Sequence, residues 1–205
     1  MRLTPARLLL LVAALGAALA GYYFARQLDR PAPQLASGTW LPVARALPDF
    51  TLLDGSGRIF SRAQLAGAPA LVFFGFTHCP DVCPTTLLKL AQVHRQLPAL
   101  RVVFVSVDPE RDTPPVVAQY AHAFDPAFVA LTGEPDAIAA LARAFGVAVS
   151  RVPLPGGDYT MDHSAVVFLL DPAARMVALF TPPLEVGPLT ADLRAVLPQL
   201  QAPRR

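Results

Sequence analysis

The chain has 205 residues, a formal net charge of +2 from 17 basic and 15 acidic side chains, and two cysteines. Its basic residues are scattered, all but Lys89 are arginine, and none form a basic stripe with interleaved aromatics, which argues against a nucleic-acid partner. Two cysteines are too few for a disulfide scaffold, and the roughly 165 residues after the first ~40 make one domain with its own core, leaving the pair free for chemistry.

The N-terminus, MRLTPARLLLLVAALGAALAGYYFARQLDR, carries 18 uncharged residues from Leu8 to Ala25. That reaches the roughly 18 apolar residues a spanning helix needs. As a signal peptide it has a basic start, an apolar Leu8–Leu15 centre and a small-x-small site, Ala18-Leu19-Ala20. As an uncleaved anchor, the preferred reading, it continues through Tyr22, Tyr23 and Phe24, aromatics suited to the membrane–water boundary, and stops at Arg26. Arg2, Arg7 and the terminal amine outweigh Arg26, Asp29 and Arg30, so either reading exports the rest of the chain. The expected division is a cytoplasmic end over 1–7, the anchor or signal over 8–25, a linker over 26–46 and a domain over 47–200. The expected setting is a bacterial inner membrane, crossed once, with the domain facing the periplasm.

Pro31 to Pro48 is rich in Pro and Ala without periodicity and reads as a semi-extended spacer. From Asp49 the pattern becomes α/β. Phe50–Leu53, the turn Asp54–Gly57 and Arg58–Phe60 read as a hairpin. Ala70–Phe76 is a continuous apolar run, as in a strand covered on both faces. Pro84 opens a helix with Leu87, Leu88, Ala91 and Leu97 at helical spacing. Arg101–Val107 is a second buried strand. Thr113-Pro114 opens a helix to about Phe124, and Glu134–Phe145 is another, ended by Gly146. Ala165–Leu170 and Met176–Phe180 form an antiparallel pair about the turn Asp171-Pro172, and Pro188–Leu197 closes as a helix. Strands alternating with helices predict an open, mixed sheet with helices on both faces.

Cys79 follows the central strand and Cys83 precedes Pro84. With Pro84 as the first helical residue, Cys83 is the cap, where backbone N–H groups and the helix dipole favour thiolate. Such a pair can close a disulfide, attack another disulfide or hold a metal. In an oxidising compartment it rests as a disulfide unless reduced or occupied.

Three stretches, FFGFTHCPDVCP (Phe73–Pro84), VSVDPERDTP (Val105–Pro114) and MDHSAVVFLLDP (Met161–Pro172), resemble the Sco/SenC family in kind and in order. The resemblance covers roughly Leu47 to Leu197. It implies a thioredoxin-like copper carrier that serves assembly of cytochrome c oxidase. It further implies that Cys79, Cys83 and His163 bind one copper ion, as Cu(I) or Cu(II), and that Cys79 and Cys83 interconvert between dithiol and disulfide. Two soft thiolates and an imidazole suit copper independently, and three protein ligands leave the site open, as a carrier requires. The implied partners are the copper-bearing subunit of the oxidase, other copper carriers and a thiol reductant protein, with the membrane held through the N-terminal helix.

Sequence spacing alone does not bring His163, 80 residues beyond Cys83, to the thiols. Asp162 is either a turn residue or the partner that orients the His163 ring. His78, His94 and His122 are not expected to be ligands. Asp108, Glu110, Arg111 and Asp112 either form a turn with an Arg111–carboxylate pair or also shape the site. The competing function is a thiol–disulfide oxidoreductase acting on exported proteins, which would use the cysteine pair and have no need of His163. No motif for a peroxide pocket is present.

Overall fold

A computed structural model of the protein describes residues 5–28 and 33–201, with side chains over 12–23 and 33–200. The chain divides into two compact units, Met1–Pro33 and Gln34–Arg205. In the first, helix α1 covers Pro5–Leu28. The expected span Leu8–Ala25 lies on this helix, but residues 8–11, 24 and 25 fall outside the described side chains. Among the described residues, no helix is long and apolar enough to cross a membrane. The described apolar side chains Val12, Leu15 and Leu19 are all exposed.

The second unit begins with β1 (Thr39–Ala46), the hairpin β2 (Thr51–Asp54) and β3 (Ile59–Ser61), and a one-turn helix α2 (Arg62–Leu65). There follow β4 (Ala70–Gly75), α3 (Val82–Gln96), β5 (Arg101–Ser106), α4 (Pro114–His122), β6 (Val129–Thr132) and α5 (Pro135–Phe145). A second hairpin, β7 (Val149–Pro153) and β8 (Tyr159–His163), precedes β9 (Val167–Leu170), β10 (Arg175–Phe180) and α6 (Val186–Gln201). Eight strands form one mixed sheet in the order β1-β10-β9-β4-β5-β6-β2-β3, while β7 and β8 make a two-stranded sheet of their own. β4, β5 and β6 run parallel, and β9 lies antiparallel on the other side of β4. All six residues of β4 are buried, as its unbroken apolar run requires of a strand covered on both faces.

The expected hairpin, both buried strands and the antiparallel β9–β10 pair are all present. Two expectations are corrected. The stretch expected as a linker over 26–46 contains β1, which pairs antiparallel with β10 at the sheet edge. Pro42 sits where the register shifts between Trp40 and Arg45, and proline is tolerated in a sheet only at such edges and irregularities. Helix α3 starts at Val82 rather than Pro84. The first turn of a helix has no intrahelical use for its N–H groups, so proline is accepted in its third position as well as its first.

The chain ahead of β1 is also fixed. The N–H groups of Ala36 and Ser37 and the Ser37 hydroxyl donate to the Asp192 carboxylate of α6 at 2.9, 2.7 and 2.7 Å. Burial alone would raise the pKa of Asp192, but these three donors outweigh it and hold the group below the ordinary carboxylate value. A depressed folded pKa means stability that is present above the unfolded value near 4 and is lost as pH falls through the folded one. Asp192→Asn is therefore expected to lower unfolding free energy at pH 7 by about 1–3 kcal/mol. In denaturant titrations the gap to the wild type should narrow on acidification below about pH 4.

Candidate metal centre

Beyond β4 the chain turns through Phe76 to Pro80, and Cys79 N–H donates to the Phe76 carbonyl at 3.3 Å. Cys83 lies in the first turn of α3 and is fully buried, while Cys79 is half-buried. Both are free thiols. The donor supplied by the helix start goes to the other sulfur from the one expected: Cys83 N–H donates to Cys79 Sγ at 3.3 Å. The expectation of a favoured thiolate at Cys83 is likewise corrected. Burial pushes its thiol well above the ordinary range, with the neighbouring Cys79 acting the same way, and a hydrogen bond at Phe76 only partly offsets this.

Gly75 makes room for that sulfur. A β-carbon at this position would stand 2.8 Å from Cys83 Sγ and 2.9 Å from Phe104 Cε2.

His163 closes the group from the other side. Expected at the start of the strand Ala165–Leu170, it instead ends β8, opposite Val149, and a short break separates it from β9. Its ring packs edge-on against Phe73 and Phe76, with centroids 6.1 and 5.9 Å away. Nε2 lies 3.3 Å from Cys83 Sγ. The ligand atoms of Cys79, Cys83 and His163 all fall within 4.8 Å of one another, the one such group among the described residues. A hollow of about 210 Å³ lined by Asp162, His163, Ser164 and residues 148–150 opens beside the imidazole. A larger one, about 410 Å³, lies at the other end of β4 and holds neither Cys nor His.

Burial lowers the His163 pKa below its ordinary value, against the opposing pulls of the Ser164 carbonyl and Asp162. The ring is thus neutral at pH 7, the form that binds a metal. With its proton on Nδ1, it donates to the Ser164 carbonyl at 3.3 Å and leaves the Nε2 lone pair facing the sulfurs. Asp162 takes neither of its two expected roles: ring orientation falls to the Ser164 carbonyl, and Asp162 is no turn residue but an exposed member of β8, opposite Ser150.

The other histidines lie outside the group. His78 turns to Thr77 Oγ1, 3.0 Å away. His94 pairs with Asp125 at 2.8 Å, and His122 Nε2 is 3.1 Å from the Phe128 carbonyl.

The acidic turn does shape the site. Asp112, fully buried, accepts from Thr77 N–H at 2.9 Å and from the Thr77 and Ser106 hydroxyls at 2.5 Å each. This ties the loop bearing Cys79 to the end of β5. Arg111 pairs with Asp108 at 2.6 Å, as expected, and also reaches β8. Gly75, Thr77, Ser106 and Tyr159 were not singled out by sequence reasoning. A signal for Tyr159 existed in the alternation Tyr159-x-Met161-x-His163, the period of a strand with one covered face.

A family model described as SCO1/SenC matches residues 41–198. The chain belongs to the SCO1/SenC family. Among its relatives is the bovine (Bos taurus) mitochondrial "SCO2 homolog", 40% identical over 173 residues, 80% of this chain and 65% of that protein. The chain thus spans just under two thirds of that relative's length. Two solved structures with copper bound are also similar. Arabidopsis thaliana ScoI is 34% identical with a TM-score of 0.70, the match covering 74% of this chain and 98% of that one. Bradyrhizobium japonicum ScoI is 40% identical with a TM-score of 0.67, covering 73% and 98%. The SCO1/SenC domain here is accordingly a thioredoxin-like α/β fold, a mixed sheet flanked by helices.

Proposed function

We propose that this SCO1/SenC chain is a copper carrier. Reduced Cys79 and Cys83 with His163 take up one copper ion and pass it on by ligand exchange. The observation that carries the reading is the meeting of two sulfurs and one imidazole nitrogen within 4.8 Å, drawn from a loop, a helix and a separate hairpin. Thiolates and imidazole are a donor set that soft Cu(I) accepts and Cu(II) tolerates. With three protein ligands, a coordination position is left for the incoming donor or acceptor. Copper-bound ScoI relatives support the same assignment.

The delivery target in this reading is the two-copper site of cytochrome c oxidase. Other copper carriers are the donors. The segment over 8–25 is the anchor, and the domain faces the periplasm of a bacterial inner membrane. There Cys79 and Cys83 pass two electrons and two protons to a disulfide of a partner protein, closing their own disulfide as the partner's opens to a dithiol. A reductant protein's dithiol, itself oxidised to a disulfide, restores them.

The test is a titration of Cu(I) and Cu(II) into the reduced protein and its His163→Ala variant. The expected result is one copper per chain, with His163→Ala weakening Cu(II) binding by at least about tenfold and changing its spectrum. An unchanged affinity and spectrum would remove His163 from the ligand set.

A second reading, thiol–disulfide exchange on exported proteins, draws support from the accessible Cys79 at a helix start. Rapid turnover of metal-free protein with a reductase, unaffected by loss of His163, is the result that would favour it.

A further inference from the structure

The β7–β8 hairpin delivers one of the three ligand atoms, yet it is poorly built to hold itself in place. Its two strands pair only with each other, and every residue of β7 is exposed. An isolated two-stranded hairpin is marginal in water. The strand period puts Tyr159, Met161 and His163 on one face of β8, where Met161 packs against the core and His163 against Phe73 and Phe76. The base of the hairpin is pinned by two bonds, Ser164 N–H to the Ala148 carbonyl and Ala148 N–H to Ser164 Oγ, each 3.2 Å.

The far end is held by charge rather than by apolar burial. The Tyr159 hydroxyl donates to Asp108 Oδ1 at 2.8 Å, and Arg111 Nη1 donates to the Tyr159 carbonyl at 2.9 Å. Asp108 and Arg111 are themselves joined at 2.6 Å, with the Asp108 side chain only 3% exposed. The Tyr159 ring is stacked between two guanidinium groups, Arg111 at 3.8 Å and Arg151 at 3.5 Å. Outside this, Arg151 binds both oxygens of Glu110 at 2.8 and 2.9 Å across an exposed surface.

We propose that Asp108, Arg111 and Tyr159 form a clamp that presses β8 onto the domain and so sets the reach of the His163 imidazole to the two sulfurs. The clamp rests on the reading of His163 as a copper ligand. Asp108 and Arg111 belong to the same loop as Asp112, which fixes Thr77 two residues before Cys79. One loop therefore positions a sulfur from one side and the imidazole from the other. With the clamp open, the hairpin pivots about its base and the ring leaves its seat on Phe73 and Phe76, while the dithiol stays. These three are positioning residues and touch no metal.

The informative variant is Tyr159→Ala, which removes the stacked ring and the hydroxyl bond to Asp108 while leaving the Arg111 bond to the backbone carbonyl and the buried Asp108–Arg111 pair in place. The full 205-residue chain, the variant, His163→Ala and the double variant are titrated with Cu(II) and Cu(I), with nitrogen hyperfine coupling read by electron paramagnetic resonance. Tyr159→Ala should weaken Cu(II) binding by about tenfold or more and lose the nitrogen signature, while Cu(I) affinity changes little. The double variant should bind Cu(II) no more weakly than His163→Ala alone, because both changes act on one ligand. A wild-type nitrogen signature in Tyr159→Ala, or losses that add in the double variant, would overturn the clamp. Failure of the copper reading looks different: His163→Ala alone would then leave Cu(II) binding untouched, which overturns the clamp as well. Should Tyr159→Ala not fold, Tyr159→Phe carries the test. It keeps the stacked ring and loses the bond to Asp108, and a nitrogen signature and affinity equal to the wild type would overturn the proposal.

Discussion

Gly75→Ala is expected to weaken copper binding by about 10- to 100-fold, the range seen when the groups that orient a metal ligand are disturbed. The added methyl would meet Cys83 Sγ at 2.8 Å, Phe104 Cε2 at 2.9 Å and Phe73 Cε1 at 3.2 Å. None of these neighbours moves without disturbing its own packing, because Cys83, Phe73 and Phe104 are all fully buried. Overpacking a core in this way costs about 1–3 kcal/mol, too little to unfold a domain of ordinary stability. The strain falls on the thiol, which is displaced from His163. Competition titration with Cu(I), alongside the thermal midpoint of the same sample, separates the two effects. A variant that loses stability but binds copper as before would show that the sulfur is free to move.

Asp112→Ala should cost more in stability, about 3 kcal/mol or above. It leaves the Thr77 N–H and the Thr77 and Ser106 hydroxyls without their acceptor, and a buried donor that loses its partner costs about 1–3 kcal/mol. The loss extends to the site, since Thr77 precedes Cys79 by two residues and the backbone between them has no other tie to β5 among the hydrogen bonds of this loop. Denaturant unfolding is expected to show the shift, and copper affinity should fall with it. Asp112→Asn keeps one acceptor oxygen and should lie between the two. Equal stability of Asp112→Ala and the wild type would mean that water replaces the carboxylate without cost.

What the sequence made legible follows from how each part is held. β4 and β5 are buried on both faces, so their apolar runs are unbroken and read directly as central strands. The ends of α5 are equally plain, with Pro135 at its start and Gly146 at its close in the left-handed region at φ 76°. β1 was hidden by Pro42 and by its exposed edge position. The β7–β8 hairpin was hidden for a related reason. Its fixings are arginines, a tyrosine and acids, which in a sequence look like solvated surface. The ligand set itself came from the resemblance of three motifs, because no periodicity connects position 163 to positions 79 and 83. The cap assignment failed on one detail: proline is as comfortable in the third position of a helix as in the first, so Pro84 could not date the start of α3. That two-residue difference moved Cys83 from an exposed cap into the packed first turn.

The unequal depth of the two thiols gives any encounter a fixed order of events. In the proposed exchange a visiting protein's cysteine would meet the sulfur at 79, because the one at 83 is fully buried beside Gly75 and Phe104. Arrival and departure therefore use the same door. Were Cys79 to attack a visitor's disulfide, expelling one of its sulfurs as thiolate, the mixed disulfide would join the visitor to the outer sulfur and leave the inner one to resolve it.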